Sequence, residues 1–381
     1  MKVIKLYNKI SPKGLGLFGE GFSCSADAEN YDGILVRSAD LHGEKFPESL
    51  RAIARAGAGT NNIPVSECTD KGICVFNTPG ANANGVKELA ICAVLLSARR
   101  IVQGAEWVKA DPEKNVPAVE TEKKRFAGCE IAGKTLGVFG LGAIGVITAN
   151  AASALGMKVI GYDPYLSVKA ALSLTPGTKI AKSPDELYAA SDFITFHIPA
   201  TAATKGVICA ESIGKMKPGA AVINLSRDLI AVASDVKEAL DSGRLSAYVT
   251  DFPVIELAGC ENAIMIPHLG ASTEESEENC AVMAVEQIAE YLENGNVKNS
   301  VNFPALRLAP LGKNRYSAAF LSESVAEKKL GDIIAPFGVA ARETACRDGL
   351  TYTLFETEKP LSKEAIGEFH TSEGKIRLNT F

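Results

Sequence analysis

The chain has 381 residues, of which 46% are hydrophobic and 22% charged, with a formal net charge of -5; this suits two or three soluble domains of roughly 100–200 residues and speaks against a nucleic-acid surface. The longest apolar stretch, Leu89 to Ala98, is about half the roughly 20 residues of a membrane helix, and Lys2, Lys5 and Lys9 interrupt the start, so neither anchor nor signal peptide is expected. Nine cysteines stand as singletons without Cys-x-x-Cys spacing, which argues against a disulfide framework or zinc knuckle and places the protein in a reducing cytoplasm.

In chain order, strand-like runs at Val3–Tyr7, Ile34–Arg37 and Ile73–Phe76 predict a small α/β unit, and a long helix from Asn84 to Ile101 leads out of it. Apolar runs of strand length then alternate with amphipathic stretches: Leu136–Phe139, Val159–Tyr162, Phe193–Phe196, Ala221–Leu225, Ala247–Thr250 and Ala263–Ile266. That alternation predicts a parallel, doubly wound sheet. Between its first two strands, Ile144, Ile147, Ala151 and Leu155 mark one face of a helix that stops at Gly156; Ser183-Pro184-Asp185-Glu186 is a capped helix start.

A second long helix, Thr273 to Leu292, ends near Gly295, and the two long helices flanking the middle domain suggest that it is inserted into the first. Past Asn302-Phe303-Pro304, a linker with Pro310 and Gly312 leads to a tail. The tail reads strand (Tyr316–Leu321), helix (Ser324–Ile334), strands (Val339–Ala345 and Leu350–Phe355), helix (Ser362–His370) and strand (Lys375–Leu378). This is the order of a ferredoxin-like α+β fold.

Gly140-Leu141-Gly142-Ala143-Ile144-Gly145 follows a strand and opens a helix, the context in which G-x-G-x-x-G binds a dinucleotide. Gly140 permits the tight turn, Gly142 lets backbone approach a pyrophosphate, and Gly145 lets helix and strand pack closely. The next strand ends at Asp163, 18 residues beyond Gly145, where a carboxylate accepts hydrogen bonds from ribose hydroxyls and repels a 2′-phosphate. With Pro164 and Tyr165 following, no cation offsets that repulsion, so NAD is favoured over NADP.

Arg227, Glu256 and His268 each lie just past a predicted strand of the middle domain, where ligands of open α/β sheets bind. Oxidation of a secondary alcohol needs a base for the hydroxyl proton, a carboxylate to orient and raise that base, and a cation for the substrate carboxylate; these residues suit those roles. Spacing alone leaves open a packed or capping histidine and a plain Arg227–Glu256 ion pair.

The ordered set Arg55-Ala56-Gly57-Ala58-Gly59-Thr60, Asn77-Thr78-Pro79-Gly80, the glycine loop, Asn224-Leu225-Ser226-Arg227, Thr250-Asp251-Phe252 and Pro267-His268-Leu269-Gly270-Ala271-Ser272-Thr273 resembles the D-isomer-specific 2-hydroxyacid dehydrogenases over residues 1 to about 305. The resemblance implies a flavodoxin-like substrate domain (1–82 and 274–304) with an NAD-binding Rossmann domain (83–273) inserted, and an assembly of at least two copies, a homodimer or homotetramer. It implies catalysis by Arg227, Glu256 and His268, with cofactor contacts at the glycine loop, Asp163, Pro199, Thr204, Leu225, Ser226, Asp251 and Gly270. It also implies that Gly57, Ala58 and Gly59 bind the substrate carboxylate.

Arg37 and Arg55 match positions that take the phosphate of 3-phosphoglycerate in such enzymes, and guanidinium groups suit phosphate. Oxidation of 3-phospho-D-glycerate, the first step of serine biosynthesis, is therefore expected. Hydroxypyruvate or glyoxylate reduction is the alternative, and an NAD-sensing binding protein on the same scaffold a more distant one. Two departures stand out: Asp228 replaces the usual glycine after the arginine, and Val232 a common aspartate. The tail (313–381) looks like an ACT domain but lacks the Asn-x-Pro-Gly loop; Ser322-Glu323-Ser324-Val325-Ala326 stands there, which favours a structural or oligomerisation role over serine binding.

Overall fold

The computed structural model describes all 381 residues and divides into two compact units, Met1–Asn82 with Glu277–Phe381, and Ala83–Ser276. No helix is long and apolar enough to cross a membrane.

In the first unit, β1 (Lys2–Tyr7), β2 (Phe22–Ser25), β3 (Gly33–Val36), β4 (Ala52–Arg55) and β5 (Cys74–Phe76) form a parallel sheet in the order β2-β1-β3-β4-β5, the flavodoxin-like winding. The sequence reading missed β2 and β4, each only four residues long, because β2 is a partly exposed edge and β4 (Ala-Ile-Ala-Arg) carries little apolar bulk. The helix Glu274–Asn294 contributes Ala281, Ala284, Val285, Ile288 and Tyr291 to one core with Ile4, Leu35, Ala54 and Phe76.

The second unit holds β6 (Thr135–Phe139), β7 (Lys158–Tyr162), β8 (Lys179–Ile180), β9 (Phe193–Phe196), β10 (Ala220–Asn224), β11 (Leu245–Thr250) and β12 (Ala263–Met265). All are parallel, in the order β12-β11-β10-β9-β6-β7-β8. The winding reverses between β6 and β9, and at such a switch point a crevice opens beyond the carboxyl ends of the strands. Successive residues serve opposite faces: Ile223 joins Val138 in one core, while Val222 joins Phe139 and Ile194 in the other. Burial on both faces leaves every residue of β10 inside.

Two expectations for this unit are corrected. The helix after β6, Ala143–Ala154, buries Gly145, Val146, Thr148, Ala149 and Ala152, whereas Leu155 is 46% exposed. A Cβ on Gly145 would lie 1.9 Å from the Gly140 carbonyl oxygen, so the face that meets the sheet is set by the smallest residues rather than the bulkiest. The first long helix ends early, at Ala98. The Ala98 carbonyl accepts the Cys129 amide at 2.9 Å, and a separate helix, Ile101–Ala110, follows.

The tail closes the first unit. Its strands β13 (Asn314–Leu321), β14 (Val339–Arg347), β15 (Leu350–Thr357) and β16 (Lys375–Thr380) pair antiparallel in the order β14-β15-β13-β16. With the helices Val325–Ile334 and Lys363–Thr371 they make the expected ferredoxin-like unit. One sheet face buries Phe320 and Phe355 against Leu330, Ile334 and Phe369. The other carries Ala319, Tyr352 and Leu354 into the core of the flavodoxin-like sheet, where rings follow one another from Phe76 to Tyr291 (5.6 Å), Tyr352 (6.5 Å) and Phe303 (5.3 Å). The Arg377 guanidinium donates to the backbone carbonyls of Glu48 (2.8 Å) and Leu50 (2.5 Å). At the turn after β13, Glu323 takes a left-handed conformation (φ 61°). The Ser322 hydroxyl is shared with Thr351 at 2.7 Å and Cys346 at 3.0 Å.

Candidate active site

The glycine loop leaves β6 at Gly140, whose φ of 96° suits glycine and whose amide donates to the Tyr162 carbonyl at 2.8 Å. The next amide, of Leu141, donates to Asp163 Oδ2, and Asp163 Oδ1 accepts the Tyr165 amide, both at 2.8 Å. Asp163 thus clamps the loop, and each carboxylate oxygen keeps a further lone pair for a ribose hydroxyl. Gly142 stands open, with no atom within 4 Å of a would-be Cβ. Beside it lie the free amides of the helix that begins at Ala143 and Ile144. Open backbone at a helix N-terminus suits a pyrophosphate. Replacing Asp163 by alanine should weaken NAD binding and relax discrimination against NADP; titrating both coenzymes into the variant checks this.

One group here went unnoticed in the sequence. His197, after β9, is partly buried, and desolvation of its ring depresses its pKa to about 4; it is a neutral imidazole within hydrogen-bond distance of the Thr195 hydroxyl, 3.1 Å away. Further along, the Thr204 hydroxyl donates to the Pro199 carbonyl at 2.6 Å and accepts the Thr201 amide, which fixes the turn carrying Pro199.

Arg227, Glu256 and His268 follow three adjacent strands, β10, β11 and β12. Asn224, the last residue of β10, binds the Arg227 carbonyl at 2.9 Å, and the buried Ser226 donates to the Phe196 carbonyl at 2.5 Å, so the backbone beneath Arg227 is rigidly held beside the buried Leu225. The Arg227 side chain is exposed and donates to the Ser226 carbonyl at 2.6 Å. Asp228 follows it, also exposed, at the start of a single 3₁₀ turn. Glu256 lies on another such turn, Ile255–Leu257. The bonds from Ala258 to Ile255, Cys260 to Leu257 and Ala263 to Cys260 keep the segment from Glu256 to His268 compact. His268 rests its ring on Phe252, centroids 4.6 Å apart. Glu256 and His268 are both exposed and share no hydrogen bond here. Such bonds tighten when substrate binds.

Within reach of the Arg227 and His268 side chains lies Asp251, fully buried just past β11. Its Oδ2 accepts the Gly270 amide at 3.0 Å, and its Oδ1 has no partner. Burial pushes its pKa up, against the pull of the Gly270 amide and of the His268 and Arg227 charges. A buried, unpaired acceptor calls for a donor, and a carboxamide N–H is a donor of the right kind.

In the first unit, Arg37 and Arg55 stand at the carboxyl ends of the paired strands β3 and β4, with Val36 opposite Arg55. Arg55 donates to the carbonyls of Arg37 (3.0 Å) and Gly59 (2.5 Å), which shapes the turn Gly57–Gly59; Asn77 donates to the Ala58 carbonyl at 2.6 Å. Arg37 is engaged by Glu277 at 2.5 Å, a partner the sequence reading did not foresee.

Residues 91–270 match the family described as D-isomer specific 2-hydroxyacid dehydrogenase, NAD binding domain. The chain is 38% identical over 275 residues to a D-3-phosphoglycerate dehydrogenase of Methanocaldococcus jannaschii, covering 70% of this chain and 50% of that protein. It is 33% identical over 294 residues to the human protein of that name, covering 74% and 53%. It therefore spans about half the length of these relatives. Among solved structures, NAD+-bound 3-phosphoglycerate dehydrogenase of Entamoeba histolytica superposes with a TM-score of 0.63 at 27% identity, covering 79% of this chain and 99% of that one. D-mandelate dehydrogenase of Rhodotorula graminis, at 21% identity and a TM-score of 0.69 over 81% of this chain and 99% of its own, shares the fold. With that match across the glycine loop and the strands bearing Arg227, Glu256 and His268, the chain belongs to the D-isomer-specific 2-hydroxyacid dehydrogenases and carries their NAD-binding domain.

Proposed function

We propose that the protein oxidises 3-phospho-D-glycerate to 3-phosphooxypyruvate with NAD. The observation that carries this reading is that Arg227, Glu256 and His268 follow three adjacent strands, with the buried Asp251 within electrostatic reach of Arg227 and His268. Bound NAD supplies the hydride acceptor. His268 takes the proton of the C2 hydroxyl as the C2 hydride departs, Glu256 orients the imidazole and favours its protonated form, and Arg227 holds the substrate carboxylate and polarises the C2 oxygen. Asp251 and Pro199 hold the nicotinamide end of the cofactor, while Asp163, Ala143, Ile144 and the loop glycines hold the adenosine and pyrophosphate end. Gly57, Ala58 and Gly59 offer backbone to the substrate, and Arg37 with Arg55 takes its phosphate. A cytoplasmic homodimer or homotetramer completes this reading; Leu95, Ile101, Val116 and Val119 of the second unit are apolar and 38–55% exposed.

The decisive measurement is the initial rate of NAD reduction on 3-phospho-D-glycerate, D-glycerate and other 2-hydroxy acids, with the reverse reaction on hydroxypyruvate and glyoxylate. The phosphorylated acid should give the highest kcat/KM; a better rate on an unphosphorylated acid would replace the substrate assignment, and no turnover on any would leave a nucleotide-binding role. Arg55→Ala should raise KM for 3-phospho-D-glycerate by about 10- to 100-fold, with little effect on kcat.

A further inference from the structure

Resting on the assignment of Arg37 to the phosphate, we propose that Glu277 is a specificity-determining residue. Its carboxylate neutralises Arg37, weakens the grip on a phosphorylated substrate and widens tolerance for 2-hydroxy acids that carry no phosphate.

The geometry makes this a directed contact. On the helix Glu274–Asn294 the residues turned into the first unit are Ala281, Ala284, Val285, Ile288 and Tyr291. Glu277 lies four residues before Ala281 and seven before Ala284, one turn beyond that apolar stripe and on the same face. The stripe thus ends in a carboxylate that meets Arg37 at 2.5 Å. The adjoining Glu278 points elsewhere, to Lys13 at 2.8 Å. Cys280, one turn along, feels the charges of Arg55, Arg37 and Glu277 together, so the helix start and the two arginines share one neighbourhood.

Both partners keep 42% of their side-chain surface exposed. A pair so exposed is weak and exchangeable, unlike a buried one. A phosphate dianion, able to take the guanidinium through two oxygens, displaces Glu277 but then sits beside a displaced carboxylate. A substrate without phosphate makes no claim on Arg37 and meets no such penalty.

The test compares wild type with Glu277→Gln, Glu277→Asp and Arg37→Ala, each first matched for melting temperature. Glu277→Gln should lower KM for 3-phospho-D-glycerate by about three- to tenfold and tighten inhibition by inorganic phosphate to a similar degree. The change should fall on KM rather than kcat, with the preference over D-glycerate rising in proportion. Glu277→Asp, which keeps the charge on a shorter arm, should lie between. Equal KM values in wild type and Glu277→Gln, with KM raised in Arg37→Ala, would overturn the role of Glu277 and leave the phosphate site standing. If Arg37→Ala also changes nothing, the phosphate assignment falls and takes this inference with it.

Discussion

Replacing His268 by alanine is expected to lower kcat by about 10²–10⁴-fold while NAD still binds. The imidazole lies beyond β12, against Phe252, and β12 is four strands along the sheet from β6, which leads into the glycine loop. Its removal leaves Gly140 to Gly145, Asp163 and the amides of the helix at Ala143 untouched, so calorimetric titration with NAD should return a near-native affinity. Without a base, the hydroxyl proton has to leave to water as the hydride departs, and the barrier rises by the amount general-base catalysis removes. Near-normal turnover would end the assignment. Glu256→Gln should give a smaller loss of kcat, because the amide can still orient the imidazole but carries no charge to stabilise the imidazolium formed during turnover.

Replacing Glu356 by alanine is expected to destabilise the first unit by about 3–5 kcal/mol. Its carboxylate, 1% exposed, faces the Arg315 guanidinium, 6% exposed, at 2.5 Å. It also accepts the amides of Leu311 (3.0 Å) and Lys313 (3.2 Å) from the linker. Arg315 spends its other donors on the carbonyls of Asn294 (2.6 Å) and Leu308 (2.7 Å), so the pair ties the end of the long helix, the linker and the tail together. Removing only the acid strands a buried cation and two amides. Converting both partners, Arg315→Met with Glu356→Leu, should recover much of the ion-pair loss though not the linker amides, as urea unfolding of the three variants would show.

The same carboxyl sets an acid limit. Burial acts to raise its pKa, but the Arg315 bond and the Leu311 and Lys313 amides outweigh burial and hold the carboxyl below its ordinary value. A depressed folded-state pKa contributes stability that is fully present above the unfolded value of about 4.3 and lost as pH falls through the folded value. Acid unfolding of the wild type should therefore steepen below about pH 4, and Glu356→Gln should flatten that limb.

What the sequence discloses depends on how much each element repeats itself. The runs that became β6, β9, β10 and β11 are legible because burial on both faces demands uninterrupted apolar residues. β8, only two residues, offers no period to read. The helix after the glycine loop was found, but its inward face was misjudged, since contact with the sheet there rewards glycine and alanine over isoleucine and leucine. In the site, Gly140 to Gly145 and Asp163 are legible because local backbone chemistry fixes their spacing. The ion pair of Arg37 is not, because Glu277 stands 240 residues away and nothing local marks it. The missing partner of Asp251 Oδ1 and the neutrality of His197 are products of packing alone.

The shared core of the first unit has a consequence for the order in which the chain matures. Ile4, Leu35, Ala54 and Phe76 leave the ribosome well ahead of the residues that cover them, from Ala281 through Tyr352 and Leu354. At roughly 5–20 residues per second, that interval is on the order of ten seconds or more. Throughout it the opening segment holds an uncovered apolar sheet face, while Ala83–Ser276, continuous in sequence, completes its own core. The segment made before the second unit is then finished after it, and a ribosome stalled before β15 would release a chain with one mature unit and one sticky one.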